Sequence, residues 1–237
     1  MLNFQQFSES LSEKIDKSKL PNPVVNIKGF LKRGYPKNDK SPADDDKLKV
    51  KKVSLPATKL LPSQNTVFLG KALDQAIRGI GGGDLGAIIS KDSYIMDGHH
   101  RWACTILNDP NLKLGGVKID LPADELVYVL RAVGDALENP RGTAPKGGDI
   151  NIFKATIEDL KKCVFDGTHM DPKTYDKDKA VKWFESIGEV ELKKRLEFLK
   201  SKDPGNEALP REEMPKVKAA QVDMVSKLLK NGAIDIR

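Results

Sequence analysis

Cysteine is scarce in this chain, which contains only Cys104 and Cys163 among its 237 residues. The two lie far apart and neither belongs to a CxxC pair, so we expect no disulfide framework and no zinc site built from cysteine. The three histidines do not suggest a metal site either, because two of them are adjacent on a tight turn and cannot easily converge on one ion. The residues therefore predict no metal site formed by protein ligands alone.

Long apolar runs are also missing. No stretch approaches the roughly 20 consecutive apolar residues that a membrane-spanning helix needs, and the first residues lack the charged start and apolar run of a secretory signal. The apolar fraction is 39% and the charged fraction 31%, which is enough to bury a core. We therefore expect no membrane partner and a cytoplasmic location.

Neither sign of charge is strongly in excess. The 40 lysines and arginines exceed the 34 acids by 6, and the isoelectric point is near 9.1. A basic balance favours polyanionic partners through long-range attraction. Many of the lysines are next to acids, however, so DNA binding is suggested by the charge without being established.

The patterning divides the chain into three parts. Residues 1–46 predict an arm, with a short amphipathic helix over residues 2–15 followed by a linker rich in proline and glycine. Residues 47–121 mix strand and helix patterns, and residues 122–237 are almost entirely helical in pattern apart from a possible short strand near the end. This order predicts an α+β fold, with a small mixed-sheet domain and a helical C-terminal region.

Residues 47–121 predict six elements. They are a strand over 47–55, a helix over 67–80 that glycines 81–83 end, two hairpin strands joined at Lys91 and Asp92, a helix over 98–109 and a closing strand over 117–121. In the C-terminal region the periodicity predicts helices over 122–137, 150–165, 176–188, 189–202 and 214–232.

The strongest local feature is the segment YIMDGHHRWACTIL, in which an apolar strand meets a helix at a glycine. The first amides of a helix have no intrahelical acceptors, and together with the helix dipole they favour an anion at this end. Gly98 lets the main chain approach such a ligand closely, and Arg101 can bind two phosphate oxygens at once. Cations at a helix N-terminus cost stability unless an anion compensates them, and we expect His99, His100 and Arg101 to supply them. The alternative is a structural turn in which Asp97 is the N-cap.

Two motifs in residues 50–120 resemble the ParB/sulfiredoxin superfamily. They are the Pro-Ser-Gln box at residues 62–64 and the Gly-x-x-Arg turn at residues 98–101, here in the variant DGHHR. In that superfamily the Gly-x-x-Arg turn binds nucleotide phosphates. Members include CTP-hydrolysing partition proteins, ATP-dependent sulfiredoxins, free serine kinases and ParB-like nucleases, and fold alone does not choose among them.

Comparing this chain with the superfamily motifs residue by residue narrows the choice among these activities. Sulfiredoxins have a cysteine where this chain has His99, and partition proteins usually have Gly-Glu-Arg-Arg at the turn. The turn is closest to that of the kinase-like members, but Gln64 occupies the region of their catalytic carboxylate, and a glutamine cannot act as a general base. Asp84 is the nearest spare carboxylate, and Cys104 is interpreted as a core residue.

The resemblance implies a set of site residues. Phosphate-binding candidates are Gly98, His99, His100, Arg101 and, on the preceding helix, Lys71, with Lys59 a weaker candidate. Asp97 and His100 are the catalytic candidates: Asp97 could orient His100 or hold Mg²⁺ against a phosphate. Gln64 is a further candidate. The implied cofactor is ATP or CTP with Mg²⁺.

The N-terminal residues MLNFQQFSESLSE carry a second resemblance. They are similar to the targeting peptides of internal head proteins of T4-like phages, which are cut after a Leu-x-Glu-type site, here residues 11–13. This implies a phage origin, and a location in the host cytoplasm or the phage head.

Three functions follow from the sequence. The first is a nucleotide-dependent hydrolase or phosphotransferase. The second is a DNA-binding protein or ParB-like nuclease whose turn grips a backbone phosphate. The third is a non-catalytic virion or interaction protein with a degenerate pocket.

Overall fold

The computed structural model describes residues 48–137, 139 and 148–230. The predicted arm, including its helix and the candidate cleavage site, lies outside these residues, as does the predicted short strand near the C-terminus. None of the described helices combines the length and the apolar character needed to cross a bilayer.

The described residues form a five-stranded sheet and seven α-helices. The strands are β1 (Val50–Pro56), β2 (Leu61–Pro62), β3 (Gly83–Ile89), β4 (Tyr94–Asp97) and β5 (Lys113–Ile119). The helices are α1 (Leu69–Ile77), α2 (His99–Asn108), α3 (Ala123–Ala136), α4 (Ile157–Asp166), α5 (Lys177–Ile187), α6 (Glu189–Lys200) and α7 (Ala219–Lys230). The predicted α+β class is confirmed.

The sheet is mixed, with the strand order β1-β5-β3-β4-β2. The predicted hairpin of β3 and β4 is confirmed as an antiparallel pair, and the last strand, β5, lies between β1 and β3 rather than at an edge. Close packing of β5 on β3 depends on Gly116, because a Cβ there would lie 2.0 Å from the carbonyl oxygen of Ala87.

Three predicted helix boundaries are wrong by more than two residues, and one of them is the start of α7, which lies at Ala219 rather than at residue 214. Helix α1 ends at Ile77, and Gly79 with φ +75° follows it, so the chain has left the helix before the glycine triplet. Helix α4 begins only at Ile157, because Thr156 and Asp159 form a capping box that fixes its start. The preceding residues 150–152 instead pair with residues 67–69 through backbone hydrogen bonds.

Each face of the sheet is buried under its own core. Ala87 and Ile89 of β3 face a core shared with α1, α2 and α4–α6, while Ile88 faces a second core shared with α3 and α7. A strand buried on both faces has a continuous apolar run, which explains the sequence LGAIIS. The C-terminal helices thus complete both cores of the sheet.

Candidate functional site

The predicted strand–glycine–helix turn is present. Strand β4 ends at Asp97, Gly98 has φ +104°, and α2 begins at His99. The Trp102 N–H donates to the Gly98 carbonyl over 2.9 Å, which closes the first helical turn. The N-cap is Gly98, so Asp97 is not the N-cap, and the first amides of α2 have no acceptor within the helix.

Arg101 lies back over this turn. Its Nη2 donates to Asp97 Oδ2 at 2.5 Å, and each of the two side chains is 31% exposed. A Cβ on Gly98 would lie 3.2 Å from the Nε of Arg101, so a larger residue at position 98 would push the guanidinium away. The absence of a side chain at Gly98 is therefore needed for both the backbone turn and the position of the arginine.

His99 is a buried hydrogen-bond acceptor. Its Nε2 accepts the backbone N–H of Ser63 over 3.2 Å, and only 4% of the residue is exposed. Burial lowers the pKa of His99 to about 3, with a further lowering from Arg101 and Arg211 that a hydrogen bond to the Ile95 backbone partly offsets. The ring is neutral and joins the Pro-Ser-Gln box to the Gly-x-x-Arg turn.

His100 has the same role one residue further on. Its Nε2 accepts the Phe68 N–H over 3.1 Å, and the centroids of the Phe68 and His100 rings are 5.8 Å apart. Burial, followed by the charges of Lys71 and Arg211, lowers the pKa of His100 well below 6.5. The expectation that the two histidines are cations is therefore wrong, because their desolvation favours the neutral ring.

These residues line one pocket of about 390 Å³. Its walls are formed by Gln64, Lys71, Gln75, Met96, Asp97, Gly98, His99, His100, Arg101, Arg211, Met214, Pro215 and Lys216. Four of these residues are basic, and Asp97 is the one carboxylate among them. Of the site residues that the motif resemblance implies, all except Lys59 are brought together here, including Gln64 and Lys71, which precede the turn by more than 25 residues.

Lys71 stands in the first turn of α1 and contributes to this positive wall. Lys71 remains accessible to solvent, but it lies in a concave surface that partly buries it. This partial burial is the main cause of its lowered pKa. The charges of Arg211 and Lys216 lower the Lys71 pKa further, while Asp97 raises it. Lys71 is thus within electrostatic range of cations that come from the far end of the described chain.

Gln64 is 4% exposed and holds the local backbone. Its Nε2 donates to the carbonyl of Thr66 over 2.6 Å, and its main chain forms a bridge with Leu209. This amide therefore shapes the pocket wall.

Sequence reasoning missed the segment 205–217, which supplies Arg211, Met214, Pro215 and Lys216 to the pocket. The Arg211 guanidinium lies over the ring of Phe68, 4.9 Å from its centroid. Arg211 and Lys216, which each follow a proline, were a visible signal, but they gave no indication that the segment folds back onto a turn more than 100 residues earlier.

The remaining candidates lie outside the pocket. Lys59 is on a short 3-10 helix, and Asp84 accepts the Gly86 N–H at the start of β3. Cys104 is fully buried and burial raises its pKa to about 12, so its prediction as a core residue is confirmed. The described residues contain no group of three or more His, Cys, Asp or Glu that could hold a metal ion.

Comparison with family models, with curated proteins and with solved structures gives no significant match to this chain. The resemblance to the ParB/sulfiredoxin superfamily accordingly stays a prediction from the two motifs.

Proposed function

We propose that this protein binds the phosphate groups of a nucleotide in the pocket at the N-terminus of α2. The observation that carries the proposal is the convergence of Lys71, Arg101, Arg211 and Lys216 on one cavity whose lining contains a single carboxylate. Because four basic side chains face one carboxylate in its lining, the pocket has an excess of positive charge, which attracts an anion.

The local chemistry supports phosphate as that anion. Backbone amides at the start of α2 and the positive end of its dipole favour negative charge. The guanidinium of Arg101 can donate to two oxygens of one phosphate. The neutral rings of His99 and His100 keep the turn in place through hydrogen bonds to the backbone of the preceding segment.

We further propose that the reaction is hydrolysis or transfer of a phosphoryl group from ATP or CTP. In such reactions positioning and charge stabilisation supply most of the catalysis, and the cations around this pocket are suited to both. Mg²⁺ bound to the nucleotide would neutralise charge on the phosphates and would need only one or two protein carboxylates. Asp97 fits that role or orients an attacking group.

His100 is the weaker of the two catalytic candidates. A general base needs an accessible lone pair, but the Nε2 of His100 already accepts the Phe68 N–H. Its predicted role therefore reduces to holding the turn and contacting the ligand.

A nucleotide ligand agrees with the proposed location in the cytoplasm of the host or, for a phage protein, in the phage head.

A ligand screen by thermal unfolding tests this function. ATP, CTP and ADP with Mg²⁺, each at about 100 times its Kd, should stabilise the native state by about 2.7 kcal/mol. This is a Tm increase on the order of 5 °C. We expect Arg101→Gln to abolish the increase. Arg78→Gln should keep it, because Arg78 pairs with Asp74 and does not line the pocket.

The negative outcomes separate the alternatives. No Tm change at millimolar nucleotide would rule out the proposed function. DNA binding that weakens steeply with salt and is lost in Arg101→Gln would assign the pocket to a nucleic-acid backbone instead. A wild-type response that Arg101→Gln leaves unchanged would indicate that the ligand binds elsewhere and that the pocket is degenerate.

A further inference from the structure

The described sheet has one long edge strand, β1. The strand order β1-β5-β3-β4-β2 places β1 and β2 at the two edges. Strand β2 is only two residues long, and Leu209 pairs with the chain that follows it by accepting the Asn65 N–H over 3.0 Å. Strand β1 has seven residues, and Lys51, Lys52 and Ser54 of this strand are exposed. Long open edges can pair with other chains, and most proteins shorten or cover them.

The ladder between β1 and β5 shows which residues of β1 use their backbone groups within the sheet. Just before β1 the Lys49 carbonyl accepts the Asp120 N–H over 3.0 Å. Just after β1 the Ala57 N–H donates to the Leu112 carbonyl over 3.1 Å. Both bonds continue the register of the β1–β5 pair, so the odd-numbered residues of β1 direct their N–H and C=O groups toward β5.

The even-numbered residues of β1 direct their backbone groups outward. Peptide groups alternate along an antiparallel ladder, so Val50, Lys52 and Ser54 turn their N–H and C=O groups away from β5. None of these groups has a hydrogen-bond partner among the described residues. Pro56, the next residue of this series, has no N–H, which is typical of the outer side of an edge strand. The outer edge of β1 is therefore available for a further strand.

The two outer strands carry positive charge and no acid. Strands β1 and β5 contain Lys51, Lys52, Lys113 and Lys118 and no carboxylate. Within the described residues none of these lysines forms an ion pair, and Lys118 contacts only the Ser93 hydroxyl, over 3.5 Å. Lys51 lies directly opposite Lys118, and like charges in this position destabilise a ladder. An anionic group beside the edge would relieve this repulsion.

These charges determine which strand can pair with the edge. In a second copy of this chain, antiparallel pairing of two β1 strands would bring the lysines of both copies together, which opposes association. An acidic strand would instead place carboxylates opposite Lys51 and Lys52, and each such pair stabilises a ladder. Val50 and Val53, half-buried on either side of the two lysines, add apolar contact surface. A nucleic-acid backbone could use the charges but could not complete the ladder.

We infer that the outer edge of β1 is a docking site for an extended acidic segment of a partner protein, which adds to the sheet as a further strand. Antiparallel pairing places the partner sequence apolar–acid–acid–apolar opposite Val53, Lys52, Lys51 and Val50 in turn. Main-chain hydrogen bonds supply affinity and the two acids supply selectivity. Strands β5 and β3 separate this edge from β4 and its turn. The inference is therefore independent of the proposed function.

Fluorescence anisotropy of labelled peptides titrated with the full chain tests the docking site. The probe is Thr-Val-Glu-Glu-Val-Thr, blocked at both ends, and the like-charge control is Thr-Val-Lys-Lys-Val-Thr. We expect the acidic peptide to bind at least about tenfold more tightly than the basic one. The double variant Lys51→Glu, Lys52→Glu should invert this order. Lys177→Glu, Lys182→Glu makes the same change in charge at exposed positions of α5 and should preserve it.

Two N-methylated peptides separate strand pairing from charge attraction alone. Methylation of the first glutamate, opposite Lys52, removes a ladder hydrogen bond and should weaken binding by about tenfold or more. The N–H of the second glutamate, opposite Lys51, points away from β1, so its methylation should change the affinity by less than about twofold.

Amide hydrogen exchange measured by NMR locates the new ladder on the protein. The acidic peptide should protect the amides of Val50, Lys52 and Ser54, whereas those of Lys51 and Val53 should be protected with and without it, because they face β5. Protection confined to other residues would place the peptide elsewhere and overturn the inference.

Three further outcomes would overturn it. If the acidic peptide does not bind at about 1 mM, the lysines serve only to prevent pairing at the edge. Equal weakening by the two N-methyl groups would show charge attraction without strand pairing. Duplex DNA that binds more tightly than the peptide and is lost in the charge-reversal variant would assign the lysines to a nucleic-acid backbone. Each result leaves the proposed function standing, because Lys51 and Lys52 do not line the pocket.

Discussion

His99 and His100 are neutral side chains that hold two backbone segments together. Each ring uses its Nε2 to accept a main-chain N–H from the segment before α1, and each is almost completely buried. A buried N–H without an acceptor costs about 1–3 kcal/mol, so both rings satisfy donors that would otherwise destabilise the pocket wall. Positive charge at the turn comes instead from Arg101.

The depressed pKa of His99 predicts acid sensitivity. Between pH 6.5, where a free histidine titrates, and pH 3, where His99 titrates in the native state, the unfolded chain binds a proton that the folded chain excludes. The free energy of unfolding therefore decreases as the pH falls through this window, by up to about 1.4 kcal/mol per unit. Above pH 6.5 this effect vanishes.

The variant His99→Gln isolates this contribution. Glutamine can accept the Ser63 N–H and does not titrate. In urea unfolding at pH 7 and pH 4.5, we expect the wild type to lose about 2 kcal/mol more stability than the variant between the two pH values. The other titrating groups are common to both proteins and cancel in the difference. Parallel losses in the two proteins would show that His99 is not protected from protonation.

At the scale of single elements, α2 is fixed at both ends. Its N-terminus is joined to the preceding segment through the two histidines. At its C-terminus, Arg195 of α6 donates through Nη1 to the carbonyls of Leu107 (2.9 Å) and Asn108 (2.5 Å). A guanidinium at this end satisfies carbonyls that have no intrahelical donor and complements the helix dipole. The helix that forms the turn is thereby fixed to the C-terminal region.

We predict that Arg195→Ala lowers the free energy of unfolding by about 2 kcal/mol, since the hydrogen bonds lost are charge-assisted and the side chain is only 13% exposed. Lys194→Ala is the matched control. Lys194 pairs with the same Glu191, but it is 72% exposed and 3.8 Å away, so its loss should change stability by less than about 0.5 kcal/mol. Urea denaturation followed by circular dichroism measures both. Similar values for the two variants would contradict the role given to Arg195.

At the scale of the whole molecule, the sheet depends on the C-terminal helices. Its second face presents Ile88, Met96, Val117 and Ile119 to a core completed by α3, α7 and the segment 209–217. Exposing these four side chains would cost on the order of 8 kcal/mol at about 2 kcal/mol each. This equals much of the net stability of a typical domain, about 5–15 kcal/mol.

We therefore predict that a fragment of residues 47–121 does not fold cooperatively alone, although its sequence patterns suggest a separate unit. The full chain should unfold in one transition, with equal calorimetric and van't Hoff enthalpies. Differential scanning calorimetry of the full chain and urea titration of the fragment are the measurements. A sharp transition in the fragment would show that the sheet is an independent domain.

Local sequence determined the central feature of the site. The strand, the turn at Gly98 and helix α2 were predictable, because glycine, apolar periodicity and helix stop signals act over a few residues. The spacing of Asp97 and Arg101, four residues apart, also allows their ion pair. Lys71 and Gln64 could be added only through the motif resemblance.

Only the tertiary structure decided the rest. The insertion of β5 between β1 and β3, the neutral state of His99 and the arrival of Arg211 at the pocket all depend on segments distant in the chain. Periodicity indicates which face of an element is buried but not which other element buries it. The protonation state of His99 and the charge of the pocket follow from that burial, so they can be determined only from the folded structure.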